Sequence, residues 1–217
     1  QQNGRHPWLT DTDDDNSFDY EEIENGTNGA DSLSPLLAKR LFLSDGGTYV
    51  RAPRSPRFNT RNFAVEMVVN PSSIGTPQNL IVRELETGLY NYRLHMLADG
   101  RVELTINGHG TLETATVVSV DPLVAGEDTH VFGAYDTETR MLWLDIDGVT
   151  VDSLTTSFLP ATNGQGAPDV RVGGGGFIGS MDEVRIWSPF PEGRSEADLT
   201  NPINGAAPGL RAYLRFD

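Results

Sequence analysis

Asp11, Asp13, Asp15, Asp19 and Glu22 fall at positions 1, 3, 5, 9 and 12 of a twelve-residue stretch, with Ser17 at position 7. Side chains at alternate positions of a tight loop converge on one point. A backbone carbonyl at position 7 adds a ligand, and an acid at position 12 closes the shell with two oxygens. Six to eight hard oxygens is what Ca²⁺ takes, so residues 11–22 read as a loop holding Ca²⁺ through Asp11, Asp13, Asp15, Asp19, Glu22 and the Ser17 carbonyl. Asn16 stands where such loops usually have glycine. Asn tolerates the left-handed conformation better than most residues, so this departure bears on affinity. The competing reading is a solvated acidic linker, because crowded carboxylates in an isolated segment also mark disorder. Phe18, Tyr20 and Ile23 interleave with the acids, as expected if a short helix after the loop packs on something.

The charge around this stretch is uneven. Of 31 acidic and 16 basic residues in a chain of 217, residues 1–35 hold nine acids and one base, Arg5. A Gly/Asn/Ser-rich run over residues 25–32 follows, which predicts a boundary between an acidic element, 1–35, and a main domain, 36–217. A net charge of −15 argues against a nucleic-acid partner, which demands a clustered positive surface to displace phosphate counterions. With no cysteine, disulfides, thiolate metal sites and cysteine nucleophiles are excluded. No apolar run reaches the roughly 18–20 residues a spanning helix requires. The chain does not begin with Met, which predicts a piece of a longer protein with neighbouring domains.

Beyond residue 40 the apolar pattern has a period of two. Phe63, Val65, Met67 and Val69 fall on one face and Ala64, Glu66 and Val68 on the other, which predicts a half-buried strand. Similar alternation recurs around residues 92–96, 102–106, 141–146, 170–172, 184–187 and 212–216. Asp99-Gly100 and Asp147-Gly148 leave almost no residues between strands, and residues 136–139 make a four-residue loop, so these are antiparallel hairpins. The expectation is an all-β, antiparallel two-sheet jelly-roll sandwich carrying a short N-terminal calcium-loop appendage. Helix is expected only at residues 195–199, where Ser195 caps and Asp198 follows three residues on.

Two kinds of resemblance add to this reading. Residues 11–28 resemble the calcium-binding thrombospondin type 3-like repeats of secreted bacterial proteins, which are also similar to dockerin and EF-hand loops. That implies a secreted or cell-surface setting and a spacer stiffened by calcium. Residues 40–53 with 63–71, and the closing stretch Phe177-Ile178-Gly179-Ser180-Met181-Asp182-Glu183-Val184-Arg185-Ile186-Trp187, resemble a concanavalin A-like, laminin-G-like jelly roll of the type also seen in pentraxins. This resemblance implies binding rather than catalysis. It also implies a second Ca²⁺ beside the opening Asp-Gly turn, with Asp45 and Asp182 as ligands and Gly46 or Gly47 supplying carbonyls. The alternative for those two acids is turn nucleation and strand-end capping. Glu183, facing away from Asp182 on a regular strand, is the poorer ligand.

Glycoside hydrolysis on such a sandwich calls for two carboxylates roughly 5–5.5 Å apart, supplied by an acid at every second residue of one strand. No Glu-x-Asp-x-Glu triplet exists here, and the Asp145/Asp147 pair ends in a hairpin turn. Arg83-Glu84-Leu85 is faintly similar to polysaccharide lyases but lacks their partner motifs. His6, His95, His109 and His130 have no metal-ligand spacing, and Gly173-Gly174-Gly175-Gly176 precedes a strand, which is no phosphate cradle. Sugar binding would call for an aromatic platform, because a pyranose stacks its apolar face on a flat ring. Tyr90, Tyr92, Trp143 and Trp187 are available, and each is equally a core residue by type. The expected function is therefore a non-catalytic, calcium-binding module recognising a glycan or a cell-surface protein. The alternatives are a structural spacer with calcium only, or a polysaccharide-active enzyme domain.

Overall fold

The structure, a computed structural model, describes residues 40–111, 113–162, 168–190, 207–214 and 216. Residues 11–22 and the helix expected at 195–199 lie outside the described residues.

Period two becomes strand because Val, Ile, Phe and Tyr at alternate positions bury one face of a pleated ribbon. Seven strands form one sheet: β1 (Leu41–Leu43), β3 (Phe63–Pro71), β8 (Thr129–Asp136), β9 (Met141–Ile146), β10 (Val149–Thr155), β12 (Gly179–Trp187) and β13 (Leu210–Leu214). Their order is β1-β12-β3-β8-β9-β10, with β13 also on β12. The second sheet has six: β2 (Tyr49–Ala52), β4 (Gln78–Glu86), β5 (Leu89–Met96), β6 (Val102–Asn107), β7 (Thr114–Val118) and β11 (Val170–Gly173), in the order β2-β11-β4-β5-β6-β7. Every pairing is antiparallel. Among the described residues the only helical turn is a 3-10 turn at Pro56–Phe58. The all-β two-sheet sandwich is thus as expected.

The core lies between the sheets. Phe63, Val65, Met67 and Val69 of β3 meet Leu94, Met96, Leu104 and Ile106, all without solvent exposure. Phe63 and Tyr92 bring their rings to 4.9 Å across the gap. Gly133 of β8 lets the sheets approach: a Cβ there would sit 2.9 Å from a Leu104 methyl. The hairpins follow the predicted turn chemistry. Asp147 (φ 49°) and Gly148 (φ 77°) are both left-handed, which matches the twist of the flanking strands. Asp136 caps its loop by accepting from the Glu138 and Thr139 amides at 3.0 and 3.1 Å.

One expectation is corrected. β3 is buried on both faces, not one, because Ala64, Phe132, Ala134 and Trp187 form a second apolar cluster on the outer side, covered by Trp143, Phe190, Ala207 and Leu210. Glu66, also fully buried there, accepts from Trp187 Nε1 (2.7 Å), shares a hydrogen bond with His130 Nε2 (3.0 Å) and pairs with Arg185 Nη1 (3.6 Å). β12 is irregular where the sequence pattern predicts a regular closing strand. A bulge between Asp182 and Arg185 holds Glu183 at φ 52°, and its carboxylate accepts from Arg185 Nη2 and from Tyr213 Oη (2.6 Å). Glu183 is therefore a structural ion-pair partner.

Candidate functional site

On the outer face of the six-stranded sheet polar side chains line up in register, from the exposed Arg51 through the half-buried Arg171, Arg93 and Thr116, with Val82 and Thr105 buried among them. Directly opposed residues on antiparallel strands share a face. The pairings Arg51↔Arg171, Arg171↔Val82, Val82↔Arg93, Arg93↔Thr105 and Thr105↔Thr116 therefore line up one row across all six strands. At about 4.8 Å per strand the row spans roughly 24 Å. A second row runs Asn79, His95, Glu103 and Val118.

The arginines are held differently. Arg171 Nη2 donates to Glu84 Oε2 at 2.6 Å, and Arg51 Nε lies 3.4 Å from Asp169. Arg93 has no carboxylate within ion-pair distance among the described residues, and its guanidinium carbon lies 5.4 Å from the centre of the Tyr90 ring. The Gly88 amide, and then Arg171 and Arg93, hold the Glu84 carboxyl below its ordinary value against the opposing effect of burial, so it stays ionised. Burial, and then the positive charge of Arg93, push the His95 imidazole below its ordinary value, although Glu103 lies 3.4 Å from Nδ1 and acts the other way. The row therefore presents, among the described residues, one arginine outside any ion pair, two paired arginines and the half-buried Thr116 hydroxyl, while Val82, Thr105 and, in the second row, His95 are buried. Such a surface can hydrogen-bond hydroxyls and accept one anionic group.

The aromatic candidates separate cleanly. Tyr92 is core, Trp187 is buried in the outer cluster of the other sheet, and Trp143 packs edge-on against Phe190 at 5.1 Å. Tyr90 alone lies beside the row, half-buried under Arg93. Tyr49, two residues from Arg51 on β2, shares its face and is 47% exposed. Sequence reasoning passed over it because one Tyr in a strand-like run carries no sign of which edge it will occupy. Arg83 is buried. Its Nη1 donates to Asn91 Oδ1 at 2.9 Å, Asn91 ties down the Ala161 carbonyl at 2.8 Å, and burial lowers the Arg83 pKa.

The structure does not bring Asp45 and Asp182 together. Leu43 pairs with Gly179, so Asp45 continues past that point in one direction while Asp182 lies three residues the other way. Five residues of offset is about 16 Å, far beyond the span of one ion with Ca–O bonds near 2.3–2.6 Å. Asp45 instead caps its turn, accepting from the Gly47 and Thr48 amides at 2.9 Å and Thr48 Oγ1 at 2.6 Å, which lower its pKa. Asp182 Oδ1 accepts from the Glu183 amide at 2.8 Å. The Gly46 carbonyl accepts from the Gly176 amide. Register, which a motif does not encode, thus sets Asp45 and Asp182 apart on the sheet. Among the described residues no three His, Asp or Glu are grouped to hold a metal. The loop ligands Asp11, Asp13, Asp15, Ser17, Asp19 and Glu22 lie outside the described residues.

Residues 44–190 match the family described as the concanavalin A-like lectin/glucanases superfamily. Among solved structures, the chain is similar to the CBM40 of the Ruminococcus gnavus IT-sialidase, at 15% identity over 74% of this chain and 94% of that one, with a TM-score of 0.58. It is similar to domain 4 of the Geobacillus stearothermophilus extracellular arabinanase AbnA, at 19% identity over 68% and 69%, with a TM-score of 0.54. Mouse laminin alpha1 LG4-5 aligns at 16% identity over 70% of this chain and 42% of that chain, with a TM-score of 0.53. At these identities the likeness is one of fold. No curated protein sequence matches the chain.

Proposed function

The chain belongs to the concanavalin A-like lectin/glucanases superfamily, and from that premise we propose that it is a non-catalytic glycan-binding module. The observation that carries this is the cross-strand row Arg51, Arg171, Arg93, Thr105 and Thr116, flanked by Tyr49 and Tyr90. An extended saccharide laid across about 24 Å of sheet would meet the guanidiniums of Arg51, Arg171 and Arg93 and the Thr116 hydroxyl, with the buried Val82 and Thr105 between them and Tyr49 offering a ring face to one pyranose. Two of the similar folds are recorded with sugars, the Ruminococcus gnavus module with alpha2,3 sialyllactose and the AbnA domain with arabinotriose.

Binding is favoured over hydrolysis by the placement of the acids. Glu84 pairs with Tyr90 in register and Glu103 with His95, five residues along β5 and two strands apart. That offset exceeds about 15 Å, beyond the roughly 5–9.5 Å that either glycosidase geometry uses. A glycan array followed by calorimetry on the best ligand tests the reading. Arg93→Ala and Tyr49→Ala are each expected to weaken binding about tenfold or more without altering the fold, because both side chains are at the surface. A silent array, or affinities unchanged in both variants, would leave the spacer reading standing.

The setting proposed is secreted or cell-surface, as part of a longer chain. No helix among the described residues is long and apolar enough to cross a membrane. Residues 11–22 supply the donor set for one structural Ca²⁺, through Asp11, Asp13, Asp15, Asp19, Glu22 and the Ser17 carbonyl. Removing the ion would leave five carboxylates repelling one another. Limited proteolysis should therefore cut within residues 1–35 faster in chelator than in calcium. Identical cleavage rates in the two would remove the calcium reading and leave an acidic linker.

A further inference from the structure

The opposite charge balance appears at one end of the sandwich. In a chain with 31 acids and 16 bases, residues 53–62 carry Arg54, Arg57 and Arg61 and no acid. This segment leads into β3, so it lies at the end where β6 passes to β7 and β8 turns into β9. There a cleft of about 340 Å³ is lined by Arg61, His109, Thr111, Glu113, Arg140 and Ser157, with Phe158 as an apolar wall. An adjoining cavity of about 300 Å³ shares His109 and Thr111.

The polar groups of the cleft are unevenly spent. Glu113 accepts from Ser157 Oγ at 3.0 Å. Arg140, held at φ 57° in its turn, gives Nη1 to the Ser157 carbonyl at 2.8 Å, which fixes the guanidinium at the rim and leaves its other nitrogens available. Among the described residues neither Arg61 nor Arg140 has a carboxylate within ion-pair distance. The His109 amide donates to the Leu159 carbonyl at 2.9 Å, and His109 lines the cleft. Two guanidiniums therefore line the cleft against one carboxylate, Glu113, which Ser157 already engages, and the positive excess of two planar forks is what an oxyanion complements. The apolar wall reduces screening and strengthens that attraction.

We propose that this cleft is an oxyanion site, separate from the sheet face, that takes the sulfate or carboxylate substituent of a sugar. That a sugar bears the anion rests on the glycan reading; that an oxyanion binds here does not. The test follows the His109 ring by proton NMR, assigned with His109→Asn, while the full chain is titrated with sodium sulfate, glucuronate or glucose at constant ionic strength. Sulfate and glucuronate are expected to shift the ring and glucose to leave it in place. Arg61→Gln and Arg140→Gln should each weaken the anion about tenfold, and Arg93→Gln should not. Arg140 is exposed, so its variant keeps the test decisive if Arg61→Gln fails to fold. An unshifted ring at tens of millimolar of both anions, or a shift that survives both substitutions, would overturn the site. If Arg93→Gln abolishes glycan binding while the anion still titrates His109, both sites stand. If no glycan binds but sulfate does, the glycan reading fails and the oxyanion site survives.

Discussion

Glu66→Ala is expected to lower the unfolding free energy by about 3–5 kcal/mol, the range for breaking a buried ion pair from one side. Glu66 has no solvent exposure, and its two oxygens engage the Trp187 indole, the His130 ring and the Arg185 guanidinium. Arg185 is itself fully buried; burial opposes its charge, yet Glu66 and then Glu183 together keep its pKa above the ordinary value. Removing Glu66 takes away one of the two carboxylates that offset the desolvation of that cation, and it opens a cavity beneath the outer cluster. Glu66→Gln preserves the shape and the acceptor for Trp187 while losing the charge, so it should fall between wild type and alanine. Urea unfolding at neutral pH measures both. A loss below about 1 kcal/mol for the alanine variant would mean that the network is solvated in solution, contrary to the packing described.

The same region marks where sequence stops being informative. The inward face of β3 was legible because Phe63, Val65, Met67 and Val69 lie two apart on one strand. Its outward face was not, since what covers Ala64 and Glu66 comes from Phe132, Ala134 and Trp187, brought alongside only by the pairing of β8 and β12 with β3. Turns were readable from Asp-Gly pairs because their chemistry is local. The row of arginines was invisible for the opposite reason: Arg51, Arg93 and Arg171 stand far apart in the chain, and only six strands in register make them neighbours. Asp45 and Asp182 show the complementary case. A motif names residue types at two sites, but their separation depends on register, and one bulge at Glu183 is enough to change which acid meets which partner. The sheet-face site thus belongs to tertiary structure, while fold class belongs to period and turns.

Gly179→Ala should be the costliest glycine substitution in the domain, about 3 kcal/mol or more. Gly179 opens β12 at φ 150°, where a side chain is strained whatever the space, and an added Cβ would lie 2.2 Å from the Asn70 carbonyl oxygen and 2.9 Å from Pro71 Cα. Those atoms are backbone of β3, so relief requires β3 and β12 to move apart. Because β12 carries β1 and β13 as well as β3, the displacement would loosen three pairings. Gly88→Ala supplies the comparison. Gly88 is also left-handed, at φ 76°, but a Cβ there meets nothing within 4 Å, so only the conformational term of about 1–2 kcal/mol applies. The difference between the two variants, measured by urea unfolding, isolates the close approach of β12 to β3 from the cost of a positive φ. Equal losses would show that the strands have room to separate there, and the tight junction at Gly179 would not be what fixes the register of the closing strand.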